Sequence, residues 1–369
     1  AMKVLLCAPQ SGGSGGMLRW TEHLQEYYKK QNNLGFQLDI LDTGLSMVRP
    51  VNPSITYRII TGLREYSRIY RVFCHRINSN SYDKVHLTTS ASISLFKDLV
   101  MLHKAKSKGL STILHFHFGR IPDLQKQNNW EWKLLIKCVK LADKVVVIDL
   151  SSYEVLRDCG FKHIYNIPNP LAPQVEAFVQ KNQASYSRVK GLLLFVGHVV
   201  RTKGVYELID ACKDFEGIRL KLIGPVLPSV KSELLSIAQN NRGDWIDIAG
   251  DMPYVNVLQE MMKCELFILP TYTEGFPNVI LESMACGCPI VTTAVGAIPE
   301  MLDIKNGFNH GICVEPRSVS QLKRAIEKML NEHEYARQCG LNAQTRVNAM
   351  YTMPYVWEQL EKVWTVEKN

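Results

Sequence analysis

Glu274 and Glu282 stand eight residues apart in the run Thr273-Glu-Gly-Phe-Pro-Asn-Val-Ile-Leu-Glu-Ser-Met-Ala-Cys-Gly-Cys-Pro289. Between them lie the turn Gly275-Phe276-Pro277-Asn278 and the first apolar turns of a helix. An apolar strand, Leu266 to Leu269, runs into the segment, so Glu274 belongs on a loop at the carboxyl end of a strand. Glu282 follows one to two helical turns later. Pro277 suits the first helical position, where its missing N–H is no loss. The backbone amides of Phe276, Asn278 and Val279 then point out of the helix N-terminus, toward an anion. Two acceptor carboxylates beside an anion site suit a polyhydroxyl ligand carrying phosphate, which describes a nucleotide sugar. Taken by itself, the spacing also fits a surface helix with two solvated carboxylates.

The matched run resembles the signature of the retaining family-four glycosyltransferases, group 1 glycosyl transferases of GT-B fold. That pattern is Glu-x7-Glu, a small-residue turn and a Pro-initiated strand, met here by Pro289-Ile290-Val291. The resemblance implies that Glu274 contacts the hydroxyls of the donor sugar and Glu282 the ribose, with Gly275, Phe276, Pro277 and Asn278 beside them. It also implies an α/β chain of two doubly wound, Rossmann-like domains facing across a cleft.

Those carboxylates need a scaffold, and the composition allows one. A chain of 369 residues is long enough for two domains. Its 46% hydrophobic and 21% charged residues are ordinary for a globular protein. Ten scattered cysteines without a C-x-x-C pair read as reduced, packed thiols in a cytoplasmic protein. No apolar run reaches the roughly 20 residues that span a bilayer. The opening Met2-Lys-Val-Leu-Leu-Cys-Ala-Pro9 reads as a first buried strand. The first 172 residues carry 23 Lys and Arg against 13 Asp and Glu, whereas the remaining 197 carry 20 against 22. A basic half joined to a near-neutral half suggests two domains with different partners. Basic surface attracts nucleic acid, anionic lipid or pyrophosphate-linked substrates.

Short apolar runs alternate with helical patterns from end to end. The expected strands are Val4–Ala8, Phe36–Leu41, Lys84–Thr88, Thr112–Phe116, Lys144–Ile148 and His163–Ile167, then Leu192–Val196, Arg219–Ile223, Trp245–Ala249, Leu266–Leu269, Ile290–Thr292 and Ile312–Val314. Continuously apolar strands between helices imply parallel sheets covered on both faces. The expected domains are 1–172, joined by a C-terminal helix at about 351–369, and 173–350. The resemblance assigns the acceptor to the first and the nucleotide sugar to the second. Ligands of such sheets lie beyond the carboxyl ends of the strands, so the loops there carry the chemistry.

Ser11-Gly-Gly-Ser-Gly-Gly16 follows the first strand, and its glycines allow close approach of backbone to a phosphate. The resemblance points to Gly15, Gly16 and Arg19 near the donor pyrophosphate and the acceptor. His115 and His117 end the fourth strand on one face. The resemblance assigns His117 to the anomeric carbon and the sugar C6 hydroxyl, leaving His115 as a satisfied core residue. Ser151 to Gly160 reads as a Ser-capped helix. Gly197, Arg201 and Lys203-Gly204 follow the seventh strand. The family pattern is Gly-Arg, then Lys-Gly; Lys203 matches it, but His198 occupies the usual Arg position and Arg201 lies three residues later. Fixed cations there stabilise the charge that grows on a departing nucleoside diphosphate.

Arg64, Arg68 and Arg71 fall on one face of a helix rich in aromatics, Tyr57 to Ile77. Such a helix can lie on an anionic membrane or pack on its own domain. Taken together, these readings point to a retaining, metal-independent glycosyltransferase, a hexosyltransferase needing no cofactor. It would move a hexose or N-acetylhexosamine from a nucleotide sugar, UDP-linked in preference to GDP-linked, to a saccharide or lipid-pyrophosphate-saccharide acceptor in cell-surface polysaccharide synthesis. The expected location is cytoplasmic, peripheral at the inner face of the plasma membrane, with no nucleic acid as partner. Three alternatives stand beside it: a sugar-nucleotide epimerase on the same fold, a Rossmann dehydrogenase using Asp42, and a nucleic-acid-binding protein using the basic half.

Overall fold

The computed structural model describes residues 1–11, 16–31, 35–44, 55–239 and 244–366. Strands β1 (Met2–Ala8), β2 (Phe36–Asp42), β3 (Lys84–Thr89), β4 (Ser111–Phe116), β5 (Lys144–Val147) and β6 (Ile164–Asn166) form one parallel sheet in the order β2-β1-β3-β4-β5-β6. Strands β7 (Val189–Val196), β8 (Arg219–Ile223), β9 (Ile246–Gly250), β10 (Cys264–Leu269), β11 (Ile290–Thr293) and β12 (Ile312–Val314) form a second, in the order β12-β11-β10-β7-β8-β9. All twelve expected strands are present. In each sheet the winding direction reverses once, between β1 and β3 and between β7 and β10. Side loops diverge at such a reversal and leave a crevice at the strand ends.

The strands are apolar along their length because helices cover both faces. Residues Val4 to Ala8 of β1 and Val145 to Val147 of β5 are fully or almost fully buried. The chain divides into one unit of Ala1–Pro170 with the stretch from Val356 onward, and another of Leu171–Tyr355.

In the first unit, the end of helix Met353–Thr365 is tied down by aromatic packing and by one cation. Trp357 lies against Tyr27, Tyr28 and Phe36, and Trp364 against Phe36. Lys144 Nζ donates to the carbonyls of Val363 (2.7 Å) and Val366 (2.6 Å), where the helix C-terminus favours positive charge. Burial, with Lys84 nearby, lowers the Lys144 ammonium to about 8. Helix Leu150–Asp158 starts earlier than expected. Its cap is Asp149, which accepts from Ser152 N at 2.8 Å, and not Ser151. An aspartate takes the capping role as readily as a serine does.

In the second unit, the Arg188 guanidinium donates to the carbonyls of Met261, Cys264 and Cys286. It ties the Cys286-Gly-Cys288 corner to the start of β10. The cysteines of the described residues are free thiols.

Candidate functional site

The loops after β7 and β10 flank the reversal of the second sheet, and they bring two predicted residues together. Lys203, in a single 3-10 turn (Arg201–Lys203) after β7, forms an ion pair with the Glu274 carboxylate after β10. Two glycines make this approach possible. Gly204 has φ +72°, and a Cβ there would overlap the Pro270 carbonyl at the end of β10. Gly296 has φ +55°, and a Cβ there would overlap the Glu274 carbonyl. The Glu274 loop is further fixed by Ala297 N, which donates to Gly275 O at 2.9 Å, and by Tyr272 N, which donates to Thr202 O at 2.9 Å.

Helix Asn278–Ala285 starts one residue later than the proline rule suggested. Pro277 is the residue before the first turn, with extended backbone (φ −75°, ψ 112°). Its φ is the one proline prefers, and its carbonyl accepts from Ile280 N at 3.1 Å, opening the helix. Phe276 is buried, against Tyr351. Glu282 is only 8% exposed, and its Oε1 accepts from the Tyr254 hydroxyl at 2.7 Å. Tyr254 opens the helix Tyr254–Lys263 that follows β9. Sequence analysis named no site residue after the ninth strand; the strand-end rule applied to the loop there would have pointed to it.

Arg201 is turned elsewhere. Its guanidinium lies 3.8 Å from the centre of the Tyr206 ring and 3.7 Å from Glu233 Oε1, and it is largely exposed. Gly197 follows β7, with φ +154° and its N–H donating to Ile223 O at 2.9 Å. His198 beside it is exposed. A second, half-buried polar pair also escaped sequence reading: the Tyr272 hydroxyl donates to Glu207 Oε1 at 2.5 Å, under the Arg317 guanidinium. Among the described residues, no group of three or more His, Cys, Asp or Glu side chains converges as a metal site would.

In the first unit, helix Gly16–Lys30 starts at the predicted Gly16, with Arg19 exposed on its first turn. Gly15 lies outside the described residues. His117 follows β4, and its N–H donates to Thr89 O at 2.9 Å. Its ring lies among Trp20 (4.6 Å between centres) and His115 (4.0 Å), near Asn169. Burial lowers His117 to about 3, so the ring is neutral. His115 is a core residue but not a satisfied one: Nδ1 has a partner, and Nε2 has none among the described residues. Asp42, the dehydrogenase candidate, has its carboxylate engaged by the loop after β1 and by its own, accepting from Gln10 N (2.7 Å), Ser11 Oγ (2.5 Å) and Gly44 N (2.7 Å).

The basic helix is Ile55–Ser79. It buries Ile69, Phe73 and Ile77 and leaves Ile60, Leu63 and Val72 exposed. Arg64 and Arg71 are exposed with them. Arg68 does not share that role. Its guanidinium turns to Glu65 Oε2 (3.1 Å) and the Gly44 carbonyl (2.9 Å), tying the helix to the loop after β2. Among the described residues, no helix is long and apolar enough to cross a membrane.

Comparison with known proteins agrees with this frame. Residues 180–346 match the family model of glycosyl transferases group 1. A capsular polysaccharide biosynthesis glycosyltransferase of Staphylococcus aureus is 30% identical over 46% of this chain and 44% of its own length. A Bacillus subtilis glycosyltransferase named for teichuronic acid biosynthesis is 28% identical over 79% of this chain and 72% of its own. The match thus spans less than half of the first relative. Sucrose-phosphate synthase of Thermosynechococcus elongatus superposes with a TM-score of 0.74 at 18% identity, covering 99% of this chain and 98% of that one. HepE of Anabaena, in complex with UDP-glucose, gives 0.67 at 16% identity, covering 99% and 100%. Two six-stranded parallel sheets flanked by helices are the GT-B fold of these structures, and residues 180–346 are similar to the glycosyl transferases group 1.

Proposed function

We propose that the protein is a retaining, metal-independent glycosyltransferase using a nucleotide sugar. The observation that carries this reading is the Lys203–Glu274 ion pair at the reversal of the second sheet, with Glu282 buried one helix further on and held by Tyr254. Lys203 supplies positive charge for the departing nucleoside diphosphate, which becomes more negative as the glycosidic bond breaks. Glu274 accepts from the hydroxyls of the transferred hexose or N-acetylhexosamine, and Glu282 from the ribose. The amides at the start of helix Asn278–Ala285 face the phosphates. Gly197 gives the backbone a close approach, Arg201 becomes the second cation by swinging away from Tyr206 and Glu233, and the neutral His117 meets the sugar C6 hydroxyl.

A UDP-sugar is the first donor to test, in keeping with the UDP-glucose held by HepE. The names of two relatives favour a cell-surface polysaccharide as product. The acceptor is then a saccharide on a lipid pyrophosphate, reached at the inner face of the plasma membrane from the cytoplasm. Ile60, Leu63 and Val72 beside Arg64 and Arg71 make a surface suited to anionic lipid. The deciding experiment incubates the protein with a panel of nucleotide sugars and follows nucleoside diphosphate release, with and without EDTA. The anomeric configuration of the product is read by NMR. Release from no donor would remove the reading; loss of activity in EDTA or inversion at the anomeric carbon would remove the corresponding part of it.

A further inference from the structure

The first unit contains a buried chain of hydrogen bonds whose directions can be deduced. The Trp364 indole is a donor only, and its Nε1–H meets His86 Nδ1 at 2.9 Å. His86 Nδ1 therefore carries no proton. In the neutral ring the proton sits on Nε2, which faces His115 Nδ1 at 3.2 Å. His86 donates, His115 accepts, and the His115 proton is placed on Nε2. Both imidazoles are almost completely buried, and burial drives both well down from the ordinary value, His86 to about 3. The neutral form assumed by the deduction is thus the one present near neutrality.

The chain ends against His117. The His115 and His117 ring centres are 4.0 Å apart, and Trp20 meets both rings edge to face, at 5.3 and 4.6 Å. Three histidines at the centre of a sheet would be costly as mere filling, because each buried polar group needs a partner. Apolar residues would pack there more cheaply.

We propose that Trp364, His86 and His115 are positioning residues for His117: a one-way hydrogen-bond relay from the C-terminal helix that fixes the His115 tautomer and, through the packed rings, the orientation of His117. The relay stands on the geometry of the first unit. Its effect on turnover rests on the reading that His117 meets the donor sugar. Docking of helix Met353–Thr365 thereby becomes a condition for an ordered His117, because the relay starts from its last turn.

The test uses the full chain with 15N-labelled histidine, reading ring tautomers by long-range proton–nitrogen correlation. In the wild type, His86 and His115 each show the Nε2–H form alone. Trp364→Phe keeps an aromatic ring but removes the indole N–H that fixes the His86 tautomer, so both rings become tautomer mixtures and the His117 signals shift. His86→Gln restores both roles, since its amide oxygen accepts and its nitrogen donates; His115 stays Nε2–H. His86→Leu frees it. This pair decides the matter if Trp364→Phe fails to fold. A His115 that is Nδ1–H in the wild type, or unchanged in Trp364→Phe and His86→Leu, overturns the relay. With an active donor, kcat falls about tenfold in Trp364→Phe and His86→Leu, with donor affinity held and His86→Gln spared. An unchanged kcat despite mixed tautomers overturns the positioning role. A wild type inert toward every nucleotide sugar sinks the glycosyltransferase reading, and the tautomer measurements then decide the relay alone.

Discussion

Acidification should destabilise the protein well above the carboxylate range, and the buried histidines set the size of the effect. His86 is buried and lowered by burial, then by His117, from 6.5 to about 3. A base with a depressed folded pKa is protonated first in the unfolded chain. Its contribution is therefore complete above 6.5 and is lost as pH falls from 6.5 toward 3. Each such group costs up to about 1.4 kcal/mol per pH unit within that window, which amounts to about 2 kcal/mol between pH 8 and pH 5. His115 is lowered by the same cause and is equally buried, so it loses stability in the same direction. His117 is also lowered to about 3, but its partly accessible surface makes its share smaller. His86 alone thus accounts for about 2 kcal/mol of the ~5 to 15 kcal/mol that stabilises a typical domain, and the other two rings act in the same direction. Urea midpoints followed by tryptophan fluorescence at pH 8, 6.5 and 5 measure it, Trp20, Trp357 and Trp364 all lying near the cluster. His86→Leu should lose one group's share of the slope. A midpoint that does not move between pH 8 and pH 5 would refute the account of the three rings as neutral and shielded.

Glu282→Ala should weaken nucleoside diphosphate binding by ~10- to 150-fold, the worth of a charge-assisted hydrogen bond of roughly 1.5 to 3 kcal/mol; unchanged calorimetric affinity would remove Glu282 from the site. Tyr254→Phe should act in the same direction but less, about fivefold for about 1 kcal/mol, since Glu282 keeps its charge and loses only its tether. Lys203→Ala should lower kcat more than donor affinity, because its charge matters most as the diphosphate leaves; equal loss in both would make it a ground-state binding residue. Charge reversal at Arg64 and Arg71 should abolish sedimentation with anionic vesicles, each cation contributing about 1 kcal/mol, and leave donor hydrolysis intact. Indifference of the wild type to such vesicles at low salt would make the helix purely structural.

The sheets were readable because their strands are locally self-evident. A run such as Lys144-Val-Val-Val147 or Cys264 to Leu269 is apolar on both faces only if both are covered, and that alone argues for a parallel sheet. Boundaries were less readable where two residues could do the same task. Asp149 and Ser151 are both good caps, and only the backbone conformation at Asp149 decides between them. Pro277 and Asn278 could each open a helix, and the extended ψ of Pro277 places it just outside. The partner of an arginine has no period at all. Arg68 shares a helical face with Arg64 and Arg71 by spacing, yet Glu65 and the Gly44 carbonyl claim it.

The same contrast separates the two groups of candidate residues. Glu274 and Glu282 are joined by one turn and one short helix, so a single stretch of chain carries both their types and their spacing. Lys203 meets Glu274 only because β7 and β10 are neighbours at the reversal of their sheet, and the strand-end rule selects both loops without knowing the strand order. Nothing comparable marks Trp20, His86, His115 and Trp364. They come from one helix near the N-terminus, two strands and the last helix, and each alone looks like a core residue. What distinguishes them is direction: an indole can only donate, so a chain of imidazoles ending on it can be protonated in one sense only. Donor chemistry written into a contiguous segment is therefore legible from composition and spacing. Polar order assembled from distant parts of the chain emerges only when its hydrogen bonds are followed one atom at a time.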